Sequence, residues 1–143
     1  MNTSIDKRLI KHLKNRSLAA NIALVASIVF LAAIFAVSVM FTDSLHNRIE
    51  PLVYEAFDAA QAGDNARVFS IAKEIDAIIE ENETRLMLFA SHRDIHELKR
   101  FSGEMVELGT NGDVNEYTQA LSGILAYIEL FAEYNRLSIG NIL

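Results

Sequence analysis

His92 and His96, in "SHRDIHELKR", stand four residues apart with Asp94 and Glu97 between and beside them. On a helix this spacing puts two imidazoles on neighbouring turns of one face, where they can chelate one divalent ion. A working site needs a third ligand and groups that orient the first two. His46 is the remaining histidine in the acidic part of the chain, and it could complete a site if its helix met this one. Leu88, Ile95, Leu98 and Met105 define a buried stripe along the same stretch. His92 falls close to that stripe, and His96 falls at its edge beside Arg93 and Arg100. The simpler expectation is a half-buried His92 bonded to a nearby carboxylate or carbonyl. A pH-responsive imidazole is a further reading. Nothing else in the sequence requires a metal or any other cofactor.

Other chemistry fails on its own spacing. "NGDVNE" offers Asn111, Asp113 and Asn115 as calcium-loop ligands, but the glycine and the bidentate glutamate of such a loop would be Glu116 and Ser122. Asp113 is therefore expected to cap a helix. "EIDAIIEENE" carries its carboxylates on an outward stripe, where no desolvated cleft raises their basicity. There is no cysteine, and so no thiol nucleophile, disulfide or Cys-ligated zinc. No glycine-rich phosphate loop and no Ser–His–Asp set appears, so the chain is expected not to be an enzyme.

The elements that would position these residues follow from charge and periodicity. Residues 18–41, "LAANIALVASIVFLAAIFAVSVMF", contain no charge. As a helix this run is about 36 Å long, enough to cross a hydrocarbon core of about 30 Å. Lys7, Arg8, Lys11, Lys14 and Arg16 precede it against one Asp6, whereas residues 42–143 carry a net charge of −10. The positive-inside rule puts the N-terminal side in the cytoplasm and the acidic part outside. "AVS" at 36–38 could be read as a signal cleavage site, but the run far exceeds a signal h-region of about 7–15 residues. The expected organisation is a basic cytoplasmic segment over 1–17, a transmembrane helix over 18–41 and an acidic extracytoplasmic helical domain over 42–143. Ala19, Ala23 and Ser27 form a small-xxx-small ladder that would let two spans approach closely. The acidic domain would repel phosphates, which argues against nucleic acid as a partner.

Beyond residue 41, apolar residues recur at intervals of three and four: Leu45 to Ala60, Val68 to Ile79, Leu86 to Leu108, and Tyr117 to Tyr134. One proline and six glycines in 143 residues favour long helices. Pro51 either kinks the first stripe or starts a new helix there. Gly63 suits a left-handed turn and Asp64 a helix cap, and "GTNGD" with Gly112 and Asp113 makes a second stop. A third helix is expected from about "ENETR". The pattern predicts an all-α fold: one N-terminal transmembrane helix, then an antiparallel bundle of about four helices in two hairpins. "GDNARVFSIAKEIDAII" and "GDVNEYTQALSGILAYI", 49 residues apart, align Val68 with Tyr117, Ala72 with Leu121, Ile75 with Ile124 and Ile79 with Ile128. Duplication of a hairpin and convergence on a common turn both explain the match.

"AAQAGDNARVFSIAKEIDAI", "SHRDIHELKR" with its H-x-D-I-x-E-L pattern, and the terminal "NIL" together resemble an uncharacterised family of small bacterial single-span, membrane-anchored helical proteins, a domain of unknown function. The resemblance covers residues 20–143. Family members often carry a tryptophan in the second helix, which this chain lacks. The resemblance implies no reaction. It implies an accessory protein whose partners are the lipid bilayer and another membrane protein or a second copy of itself. The alternative is a sensor-type bundle that binds a ligand or metal through His92 and His96. Sensor input domains normally return through a second span, and "YIELFAEYNRLSIGNIL" is interrupted by Glu129, Glu133 and Arg136.

Overall fold

The computed structural model describes the backbone over residues 3–140 and the side chains over residues 19–133. Among the described residues there are four α-helices and no strand: α1 (Thr3–Gln61), α2 (Asn65–Leu86), α3 (His92–Leu108) and α4 (Val114–Gly140). The chain divides into two compact units, Met1–Val37 and Ser38–Leu143.

In the first unit α1 is long and apolar, and its described side chains face outward. Leu24, Phe30 and Leu31 are each more than 60% exposed. The run contains no glycine or proline, so nothing interrupts the helical ladder.

The second unit opens on the rest of α1. The helix runs on through Pro51. The missing proline N–H would have bonded the Asn47 carbonyl four residues back. Asn47 and Pro51 are both exposed, so water can satisfy that carbonyl. The opposite side of this stretch supplies Leu45, Ile49, Val53, Ala56 and Ala60 to a single hydrophobic core shared with the other three helices. Val68, Ile71, Ala72, Ile75, Ile78 and Ile79 of the second stripe are all buried there.

The helix expected to begin near "ENETR" begins instead at His92. Asn82 and Leu86 prolong the buried face of α2 by another turn, and Asn82 is accommodated because its Nδ2 donates to the Ile78 carbonyl at 2.8 Å. The chain then turns over residues 87–91. Leu88, which the spacing placed on the buried stripe, is 73% exposed.

Contacts between successive helices follow a consistent order. Glu55 of α1 pairs with Arg67 of α2, and Phe41 meets Phe89, just past the end of α2, with ring centroids 6.0 Å apart. Lys99 of α3 donates to Glu83 of α2 at 2.7 Å, and the buried Ser102 donates to Asp76 at 2.6 Å. In each pair of elements, one position rises along the chain as its partner falls.

The α3–α4 seam depends on a glycine. A Cβ on Gly123 would lie 2.6 Å from the Phe101 ring, which is itself held beside Tyr127 and under the Arg100 guanidinium. Gly123→Ala should therefore lower stability by about 1–3 kcal/mol through overpacking. Gly103, elsewhere on α3, has open space at its Cβ. Gly103→Ala should raise stability by about 0.5–1 kcal/mol through helix propensity alone. Urea unfolding of the two variants in one detergent checks the opposite signs.

Candidate functional site

The N-terminus of α3 is built by Ser91. Its Oγ accepts from the Asp94 backbone N–H at 3.2 Å and donates to Asp94 Oδ2 at 2.7 Å. This cap satisfies an otherwise orphaned donor of the first turn. It also fixes the start of the helix so that His92 lies in the first turn and His96 one turn on.

Both imidazoles are exposed. The expectation of a half-buried His92 is corrected. Asp94 and Ile95 turn to the core at the start of α3, and His92 projects into solvent. The two histidines, with Glu83, Met87, Ile95 and Lys99, line an open groove of about 290 Å³. The Glu83 carboxylate in its wall is engaged by Lys99. That hydrogen bond, against a smaller opposing effect of burial, holds the Lys99 ammonium above its ordinary range, with Glu80 and Asp76 adding to it. The raised value means that the pair stabilises fully below the ordinary lysine range. Its contribution fades only as pH climbs through the raised one.

Among the described residues no three His, Asp or Glu side chains form a group able to hold a metal ion. His46 does not complete one: it lies in α1, with its Nδ1 3.8 Å from Glu50 of the same helix. The groove can offer two imidazole side chains, an apolar wall and one ion pair.

Ala19, Ala23 and Ser27 lie along the exposed surface of α1, where Ser27 Oγ donates to the Ala23 carbonyl at 2.9 Å. Gly63 has φ +73°, and Asp64 is the N-cap of α2, accepting from the Arg67 N–H at 3.0 Å. Asp113 Oδ1 accepts from the N–H groups of Asn115 and Glu116, while Glu116 reaches back to the Asp113 N–H, a reciprocal capping box. Gly112 is required for a different reason from Gly63. The left-handed residue of the second turn is Gly109, with φ +59°. Gly112 instead makes room for the Tyr117 ring, which would stand 2.8 Å from a Cβ there.

Four features escape the periodicity of the sequence. These are the Ser91 cap, Gly109, the Phe41–Phe89 contact and a bridge from Asn65. The Asn65 Nδ2 donates to the carbonyls of Thr110 and Gly112, tying the first turn to the second. The Ser91 cap had a legible signal, serine three residues before an aspartate ahead of an apolar stripe. The chain, compared with protein-family models, curated proteins and solved structures, matches none of them.

Proposed function

We propose that this is a single-span membrane protein whose acidic helical domain docks another membrane or envelope protein, or a second copy of itself, outside the membrane. Residues 1–17 lie in the cytoplasm, 18–41 span the membrane, and 42–143 form an antiparallel bundle of two hairpins at the outer surface. The observation that carries the reading is the outward apolar surface of α1 over residues 19–37. Each large apolar side chain left in water forgoes about 1.5–3 kcal/mol, and a bilayer removes that cost along the whole run. The five cations ahead of the run support the orientation. The Ala19, Ala23 and Ser27 ladder offers a surface for a second helix in lipid. The resemblance to small single-span bacterial proteins points the same way, and the role is one of binding rather than catalysis.

The chain has no cysteine, so Ser4→Cys and Asn111→Cys can each be labelled without background. An impermeant maleimide applied to intact cells should reach residue 111 and leave residue 4 unlabelled until lysis. Labelling of residue 4 alone would overturn the orientation. Solubilisation in mild detergent should then retain a stoichiometric membrane partner or a defined homo-oligomer. A monomer with nothing bound argues against the docking role.

One observation favours a second reading, a sensor domain: His92 and His96 open on the same groove. Titration of the full-length protein with Zn²⁺ by calorimetry tests it, with a His92→Ala, His96→Ala variant as the comparison. Equal heats from the two proteins eliminate the pair as ligands.

A further inference from the structure

We propose that the turn between α2 and α3, residues 87–90, is a second membrane contact, seated in the interfacial layer of the bilayer that the apolar run of α1 enters. The proposal rests on the reading of residues 18–41 as a span and adds a contact to it.

Depth comes first. Phe41 is the last residue of the apolar run, and its ring packs against Phe89 of the turn. Phe89 of the turn is therefore level with residue 41 along this part of α1. The side chains at that level are apolar and unburied: Met40 is 73% exposed, Leu88 73% and Met87 44%. Exposed leucine and methionine at the tip of a turn are costly in water and favourable at an acyl-chain boundary.

The backbone of the turn suits the same environment. A loop entering a low-dielectric layer must satisfy its own N–H groups, at several kcal/mol for each one left open. Here Met87 N–H donates to Glu83 O, Leu88 to Arg85 O, and Phe89 and Ala90 both to Leu86 O, all within 3.1 Å. No donor of residues 87–90 depends on water.

The charges are arranged to match. Arg48 and Arg85 line a small hollow with Phe41 and Asn82. Arg48 lies seven residues beyond Phe41, roughly 10 Å along the helix axis, from where its long side chain can reach back to lipid phosphates. Arg93, just past the turn, is 89% exposed. A domain of net charge −10 thus presents three exposed arginines beside this apolar turn, a pattern complementary to anionic headgroups. A protein partner would account for the apolar tip, but not for its coincidence in depth with the end of the run.

The chain has no tryptophan, so one introduced residue reports alone. Full-length Leu88→Trp is reconstituted in phosphatidylethanolamine–phosphatidylglycerol vesicles, in parallel samples whose lipids are brominated near the headgroup end of the acyl chain, to report on Leu88→Trp, or near its terminal methyl, to report on Phe30→Trp at mid-span. Phe30→Trp and Val114→Trp serve as references. Val114 starts α4 beside the turn that Asn65 bridges, at the far end of α2 from Leu88, and is 44% exposed. The expected result is blue-shifted emission and bromine quenching for Leu88→Trp and Phe30→Trp, and water-like, unquenched emission for Val114→Trp. Quenching of Phe30→Trp with a water-like, unquenched Leu88→Trp overturns the proposal, leaves the span intact and frees the tip for a protein partner. A Phe30→Trp that is not quenched overturns the span and the proposal together.

Discussion

Tyr117→Ala should cost the helical domain about 3–5 kcal/mol, the range for deleting a fully buried aromatic side chain. Tyr117 has no exposed surface and is among the largest fully buried side chains of the core. Its ring fills the space that Gly112 leaves open, and its hydroxyl donates to the Gly109 carbonyl at 3.1 Å. Truncation therefore removes core volume and, in the same step, the side chain on which the second turn is wrapped. Tyr117→Phe separates the two contributions. It keeps the ring and loses one hydrogen bond, for an expected loss of about 0.5–1.5 kcal/mol. Urea unfolding followed by far-UV circular dichroism reads both. A domain of this size has about 5–15 kcal/mol of total stability, so the alanine variant should be partly unfolded at moderate temperature. Equal effects for the two variants would show that the turn, rather than the ring, governs the loss.

The second large effect is expected in the apolar run. Val29 and Phe30 lie at its middle and are each about 60% exposed or more. Arginine at the centre of a spanning helix costs about 2.5–3.5 kcal/mol, against a gain of about 0.3–0.6 kcal/mol from each Leu, Ile, Phe or Val. Val29→Arg combined with Phe30→Arg should therefore cancel most of the insertion energy. The protein should move from the carbonate-resistant membrane fraction to the soluble or aggregated fraction. Val29→Leu with Phe30→Leu should leave it in place. Because the buried stripe of α1 begins near Leu45, the helical domain itself should keep its unfolding transition in the arginine variant. A double arginine variant that resists carbonate as the parent does would remove the case for a span.

The apolar stripes of the domain were legible from spacing, since Ile49, Val53, Ile71, Ile75, Leu121 and Ile124 all reach the core. The Gly63–Asp64 turn was legible too, because a left-handed glycine followed by a capping aspartate is local chemistry. What spacing missed falls into two kinds. Pro51 was open to two readings and the helix start at "ENETR" was misplaced, because a helix tolerates a proline or a polar turn when the affected groups face water or find an internal partner. Which of these holds is set by neighbours distant in sequence. The exposure of His92 has a similar origin. A rotation of a few tens of degrees separates an edge position from an outward one, and the Ser91 cap fixes that rotation. The fit of Gly123 beneath Phe101 and the bridge from Asn65 are products of packing, with no periodic signal at all.

That bridge constrains the order in which the domain can assemble. Asn65 and the two carbonyls it holds are 45 and 47 residues apart. Closing a flexible loop of that length costs on the order of 3 kcal/mol in chain entropy, whereas two side-chain hydrogen bonds return about 1 kcal/mol each. The bridge cannot nucleate folding. It closes after the core has already brought the two turns together, so it is a marker of completed assembly. Asn65→Ala should consequently leave the refolding rate almost unchanged and act on the rate of unfolding.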